Sequence, residues 1–464
     1  MRQAVRRSRS LDVTHGTIWR QLLELCVPVF LSSLFQQSYS LVNTFIVGRF
    51  AGKMALAAIQ ATASLTDLTV GFSVGVGAGC SIVVSQYFGA NDDKQVFASV
   101  HTAMGLALVG GLAISLLGIC ISGPMLALMG TPADIYAQSL TYVHVYMAAM
   151  VFSIVFNMGA ALQRAVGDTR TPSLIVAATC LVNVTLDLVL VVWAGLGVLG
   201  AALSTACSLA VGAVVTVAIL TRAQGPWRLY PRRIHIDAKL ASDMLRCGLP
   251  LGLQSSAYSV SNIILQSSIN SFGSNAIAAW GLACRIDSVV WLVSDALGTS
   301  VTTFAAQNFG AGNRRRMRKG LHTSLALTAA VIGGISAALF TLAAPLSGLF
   351  ITDTNVTSMT TQMIAYISPF YVLYSLMDNI SGTIRGTGES LRPMLLTVLG
   401  TCVFRMFWLF AFVPSHHSID TVLTSYPVTW LLTGILIFIY YRYGHWAERS
   451  KARERAHLAG HATA

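Results

Sequence analysis

Apolar residues in this chain gather into a dozen long runs separated by short polar breaks. The runs cover about 21–48, 56–86, 97–121, 135–163, 171–193, 198–221, 243–271, 277–306, 320–347, 360–384, 393–413 and 422–442. A helix rises ~1.5 Å per residue, so about 20 apolar residues cross a bilayer core of ~30 Å. The pattern therefore predicts an all-α polytopic membrane protein with twelve transmembrane helices. The first run, about Leu22 to Val47, is longer than the apolar core of a secretory signal and reads as a first membrane helix. Charge in the breaks alternates with side. If the basic start of the chain (Arg2, Arg6, Arg7, Arg9) is cytoplasmic, that side also receives Lys94, Arg164, Arg170, the Arg222–Arg246 segment, Arg314 to Lys319, Arg385, Arg392 and the tail from Arg442 to Arg455. The outside keeps little beyond Arg49 and Lys53. This is the positive-inside pattern of an even number of helices, with both termini in the cytoplasm.

An internal repeat orders the runs. Pro28 and Pro250 stand 222 positions apart. Gln86-Tyr87-Phe88-Gly89-Ala90 and Gln307-Asn308-Phe309-Gly310-Ala311 stand 221 apart, as do Arg164, Gly167 and Pro172 from Arg385, Gly388 and Pro393. A six-helix unit is even, so its second copy enters the membrane in the same direction, giving parallel repeats about an axis along the membrane normal. The expected division is a cytoplasmic tail over 1–20, an N-lobe over 21–221, a polar linker over 222–242, a C-lobe over 243–442 and a cytoplasmic tail over 443–464. Such lobes place cargo in the cleft between them.

Composition narrows the function. The chain has 464 residues, 54% hydrophobic and 10% charged, and its net charge of +12 is scattered through short breaks. Scattered charge without interleaved aromatics argues for topology rather than for nucleic acid. The eight cysteines are far apart and form no Cys-x-x-Cys pair, so they read as packing residues with no metal. There is no Walker loop to hydrolyse ATP and no credible nucleophilic triad. The reading is neither an enzyme nor a cofactor protein.

Polar side chains inside apolar runs carry the remaining information, because an intramembrane acid is a functional candidate by default. Asn183 and Asp187 lie four apart, on one helical face, and Thr205 returns at a similar depth on the next helix after Gly195, Gly197 and Gly200. The competing reading of Asp187 is a structural acid satisfied by Asn183 and backbone. Asp67, Asp287, Asp295 and Asp378 also fall in predicted spans and outnumber the bases Arg285 and Arg405, which favours cationic cargo. Gln36 and Tyr39 are candidate cleft residues beside Gln37, and Pro28 on the same helix permits a kink. Gly71, Gly75 and Gly79 repeat every four residues, a spacing for close helix packing. The Arg164 and Arg385 loops read as turns with headgroup anchors, and His416 and His417 as solvated.

Taken together, Leu249-Pro250-Leu251-Gly252-Leu253-Gln254, the two Gln-x-Phe-Gly-Ala stretches and the Arg164…Gly167-Asp168-Thr169-Arg170-Thr171-Pro172 loop with its copy at Arg385 resemble the multidrug and toxic compound extrusion (MATE) transporters, over Leu25 to about Arg442. The Asn183, Asp187, Thr205 set looks like the N-lobe cation site of the family's DinF-like branch. That resemblance implies two lobes, alternating access, and export of organic cations or amphipathic drugs against protons or sodium by a monomer in a bacterial inner membrane. The chain departs from the branch at Val42-Asn43-Thr44, where an aspartate is usual, so a sodium ion held by Asp187, Asn183 and Thr205 would meet one carboxylate instead of two. Tyr258 stands where the sodium-coupled branch places a glutamate. The choice between proton and sodium stays open. The rival readings are a flippase for a lipid-linked saccharide, which calls for more cavity Arg and Lys, and more distantly an ion channel.

Overall fold

In hydrocarbon every backbone N–H and C=O must find a partner within its own segment, and the apolar runs meet this requirement as helices. The computed structural model describes residues 10–351, 353–444 and 446, and no strand occurs among them. The basic residues Arg2, Arg6, Arg7 and Arg9 and the tail from 447 onward lie outside the described residues.

Among the described residues twelve helical rods follow one another: α1 (Ile18–Ala51), α2 (Lys53–Gly89), α3 (Asp93–Leu128), α4 (Ala133–Ala148 with Met150–Ala165), α5 (Arg170–Trp193), α6 (Gly197–Thr221), α7 (Ala238–Asn270), α8 (Ser274–Gly310), α9 (Arg314–Phe350), α10 (Thr354–Ile367, Ser368–Phe370 and Tyr371–Gly386), α11 (Leu391–Phe412) and α12 (Ile419–Tyr443). Among the described residues nine are long and apolar enough alone to cross a membrane, and α4 makes a tenth when its two halves, bent by 46°, count as one span. α7 and α10 fall short of that test: α7 is rich in Ser, Gln and Asn, and a 3-10 turn splits α10.

Neither interruption was foreseen in the runs. At the α4 bend the Val151 N–H is freed from its helix and donates to Ser115 Oγ of α3 at 3.1 Å. Its repeat partner in α10 breaks at Ser368-Pro369-Phe370, where proline removes a donor. α1, α5 and α11 each contain a π-helical turn, at Val47–Ala51, Leu188–Trp193 and Val398–Val403.

By its contacts the chain divides into two units. Unit 1 is the chain before Val13 plus Val27–Gly252, and unit 2 is Val13–Cys26 plus the chain from Leu253. The divisions fall inside α1, just before Pro28, and inside α7, just after Pro250, rather than in the linker.

Unit 1 is built on α2, α3, α4 and α6, with Cys80, Val84, Val100, Met104, Met150 and Leu162 in its core. The start of α7 lies backbone to backbone against α2: a Cβ on Gly75 would stand 2.6 Å from Gly252 Cα, and one on Gly79 would collide with Gly248. Glycine there permits close approach, as the four-residue spacing suggested. The linker folds onto the start of α3, with Tyr230 N donating to His101 Nε2 at 3.0 Å and Asp237 N to Thr102 Oγ1 at 3.2 Å. α7 begins at Ala238, where Asp237 Oδ1 accepts from Lys239 N and Leu240 N.

Unit 2 is built on α8, α10 and α12, with Ala305, Phe309, Met377, Ile384 and Ile437 packed together. Here the second Gln-x-Phe-Gly-Ala stretch has a visible task. Val13 N donates to Gln307 Oε1 at 3.2 Å, and the Val13 carbonyl accepts from Asn308 Nδ2 at 3.2 Å and Arg316 Nε at 3.0 Å. The segment leading into α1 is thus held by the end of α8 and the start of α9.

Candidate functional site

α5 runs as a regular helix to Asp187 and then widens into the π turn Leu188–Trp193, a distortion common beside functional groups. The wide turn lies immediately after the acid. Asp187 is 0% exposed, and neither carboxylate oxygen has a hydrogen-bond partner among the described residues. Ser204 of α6 faces it, but the Ser204 hydroxyl donates to the Gly200 carbonyl at 2.8 Å. Asn183, one turn earlier, does not satisfy the acid: its Nδ2 donates to Ser208 Oγ at 3.0 Å, and its Oδ1 is buried without a partner. The structural-acid reading of Asp187 therefore lacks its partners.

Three further groups converge on this spot. The Thr205 hydroxyl donates to Ala201 O at 3.0 Å, which leaves its oxygen free to accept. The Tyr39 hydroxyl of α1 approaches Thr205 and Asn43, and the Tyr142 hydroxyl of α4 approaches Thr205. Both tyrosines lie within electrostatic reach of Asp187. Of the residues selected from the sequence, Asn183, Asp187, Thr205, Asn43 and Tyr39 thus form one neighbourhood. Tyr142, Ser204 and Ser208 were missed. The legible signal was the Tyr142, Tyr146 pair one helical turn apart, whose rings stack at 6.1 Å.

Pro28 sits inside α1, and its carbonyl accepts from Ser173 Oγ of α5 at 2.6 Å, a side-chain bond at the place where proline weakens the helix ladder. Gln36 is exposed in unit 1. Asp67 is also exposed there and lies within electrostatic reach of Tyr142 and Tyr146.

The other predicted acids belong to unit 2 and do not share one environment. Asp287 Oδ2 accepts from the Tyr371 hydroxyl at 2.8 Å. Asp378 Oδ1 pairs with Arg385 Nη2 at 2.9 Å, with both side chains mostly buried. Arg385 therefore turns inward, which corrects its reading as a headgroup anchor: an acid seven residues back along the same helix is the nearer partner. Asp295 is exposed and lies within reach of Cys26.

The donors around Asp187 are oxygens, suited to a proton or to a hard cation such as sodium. Among the described residues no group of three or more His, Cys, Asp or Glu could hold a metal. Asp187 is thus a buried carboxylate with Ser204 facing it and the hydroxyls of Thr205, Tyr39 and Tyr142 nearby, in a repeated all-helical fold.

The profile of the MatE family matches residues 28–189 and 250–410, one block in each repeat. The chain is 27% identical over 437 residues to "Probable multidrug resistance protein YoeA" of Bacillus subtilis, covering 92% of this chain and 94% of that one. It is 28% identical over 438 residues to a "FAD transporter" of Shewanella oneidensis, covering 91% and 94%. Its fold matches that of a MOP superfamily transporter from Pyrococcus furiosus with a TM-score of 0.87 at 20% identity, covering 96% and 98% of the two chains. The chain belongs to the MatE family and has its two-lobed, all-α membrane fold.

Proposed function

We propose that the protein is a secondary active multidrug exporter of a bacterial cytoplasmic membrane, both termini inside, with functional lobes over 21–221 and 243–442. It antiports organic cations or amphipathic compounds against protons or sodium by alternating access. Relatives named for multidrug resistance and export support the cargo class. The observation that carries the coupling is the buried Asp187 carboxylate without a hydrogen-bond partner beside Tyr39, Asn43, Tyr142 and Thr205.

An ionised acid so placed is costly, and a proton or sodium ion removes that cost. The state that binds the ion is stabilised over the state that does not, and the populations shift by the difference in affinity. Tyr39 and Asn43 lie on α1 beyond Pro28, so a change of contacts at the acid reaches the proline-weakened helix directly. With asparagine at position 43, either ion would meet one carboxylate. Efflux of a fluorescent organic cation from proteoliposomes, driven separately by a proton and by a sodium gradient, tests the reading. Efflux that ignores both gradients would refute it.

A further inference from the structure

The start of α9 breaks a rule that its repeat partner keeps. At the 221-residue offset α9 corresponds to α3, which begins in the ordinary way: Asp92 Oδ1 accepts from Gln95 N at 3.0 Å, and Asp93 occupies the first turn. Negative charge there meets the positive end of the helix dipole. α9 has Asn313 in place of Asp92, without a side-chain cap, and opens on Arg314-Arg315-Arg316-Met317-Arg318-Lys319. Five of those six side chains are basic, so they oppose the dipole, and Arg315 and Lys319, four apart on one face, repel each other. Both starts fall in breaks that the charge pattern assigns to one side, so topology alone does not account for the difference.

The basic turn lines a cavity. Within unit 2 an open space of about 740 Å³ is bounded by Arg314, Arg315, Arg316 and Lys319 of α9 and by Thr14 and His15 of the segment leading into α1. Among the described residues no acid lines it. Arg316 holds the two walls together: besides its bond to the Val13 carbonyl, its Nη2 donates to His15 O at 3.0 Å and to Gln21 Oε1 at 2.8 Å. Arg315 and Lys319 are exposed. Ile18 also borders the space, and beside it Trp19 is 53% exposed, an aromatic of the kind that sits at headgroup level.

We infer that this cavity binds a phosphate group that carries no cation of its own, with Arg315 and Lys319 as its principal ligands and Arg316 positioning the opposite wall. The guanidinium fork and the ammonium both suit phosphate oxygens, and negative charge at this helix end is favoured. An anionic phospholipid headgroup and a free phosphate ion present the same chemistry. Trp19 and Ile18 favour the lipid, for which basic pockets between membrane helices are suited. An anion here would fasten the segment leading into α1 to unit 2. The inference uses nothing from the exporter reading.

Two arms test it on the full-length protein in detergent. Native mass spectrometry compares phosphatidylglycerol with phosphatidylcholine of matched acyl chains. Melting temperature compares sodium phosphate with sodium chloride at equal ionic strength. Arg315→Gln with Lys319→Gln removes the site charge, and Arg232→Gln with Arg233→Gln removes as much charge from the linker; all four side chains are exposed. The wild type is expected to bind phosphatidylglycerol roughly fivefold more tightly than phosphatidylcholine or better, with the site variant losing that preference and the linker variant keeping it. A phosphate-specific rise in melting temperature with the same dependence on the variants would support the site and name a soluble anion as its source. No preference in either arm, a preference that survives in the site variant, or an equal loss in both variants would overturn the inference.

Discussion

Replacing Asp187 by asparagine keeps the shape of the side chain and removes its charge and its proton. On the proposed reading, the one buried carboxylate in this neighbourhood would couple one proton, or one sodium ion, per cycle. Each unit of pH difference is then worth ~1.4 kcal/mol, or about a tenfold cargo ratio across the membrane. Wild-type proteoliposomes holding a two-unit pH difference should reach a cargo ratio on the order of 100, or the same ratio under a comparable sodium gradient. Asp187→Asn should equilibrate its cargo to a ratio of about 1, because binding remains and only the coupling is lost. Stability separates this from misfolding. The wild-type acid is fully buried with neither oxygen hydrogen-bonded, so neutralising it removes a desolvation penalty and the melting temperature should stay level or rise. A mutant that still concentrates cargo on either gradient would refute the coupling role. A mutant that melts well below the wild type would show that the acid is structural.

Other substitutions follow from the same geometry. Tyr39→Phe removes the hydroxyl that approaches Thr205 and Asn43 and should raise the ion concentration for half-maximal efflux several-fold, with cargo KM little changed. Gly79→Ala forces a methyl into the Gly248 backbone and should cost about 1–3 kcal/mol, read as a lower melting temperature in detergent. Ser115→Ala leaves the Val151 N–H at the α4 bend without its acceptor and should cost about 1–3 kcal/mol by the same assay. Asp378→Asn strands the mostly buried Arg385 and should lower stability by about 3–5 kcal/mol, a loss that Arg385→Met in the same chain should partly restore.

Pattern and composition alone determined much of this protein. Twelve helices, the six-helix repeat and the candidacy of Asp187 follow from the cost of polar groups in hydrocarbon, which acts on each segment separately and is written in its residue types. Asn183 and Thr205 were legible beside Asp187 from helical spacing and depth and Asn43 from the family's motif, whereas Tyr39 was read as a cleft residue and only the packed helices bring it to Thr205 and Asn43. The partners of each side chain were decided only in three dimensions. Nothing in the runs distinguishes Asp378, neutralised by Arg385, from Asp187, which no base meets among the described residues, because pairing depends on which helices abut. The bend at Ala149 carries no proline or glycine and exists because Ser115 of another helix receives the freed Val151 N–H. For the same reason Arg405 counts in the sequence as one base among several. Only the packed helices of unit 2 show that it is buried with its guanidinium over the Tyr426 ring.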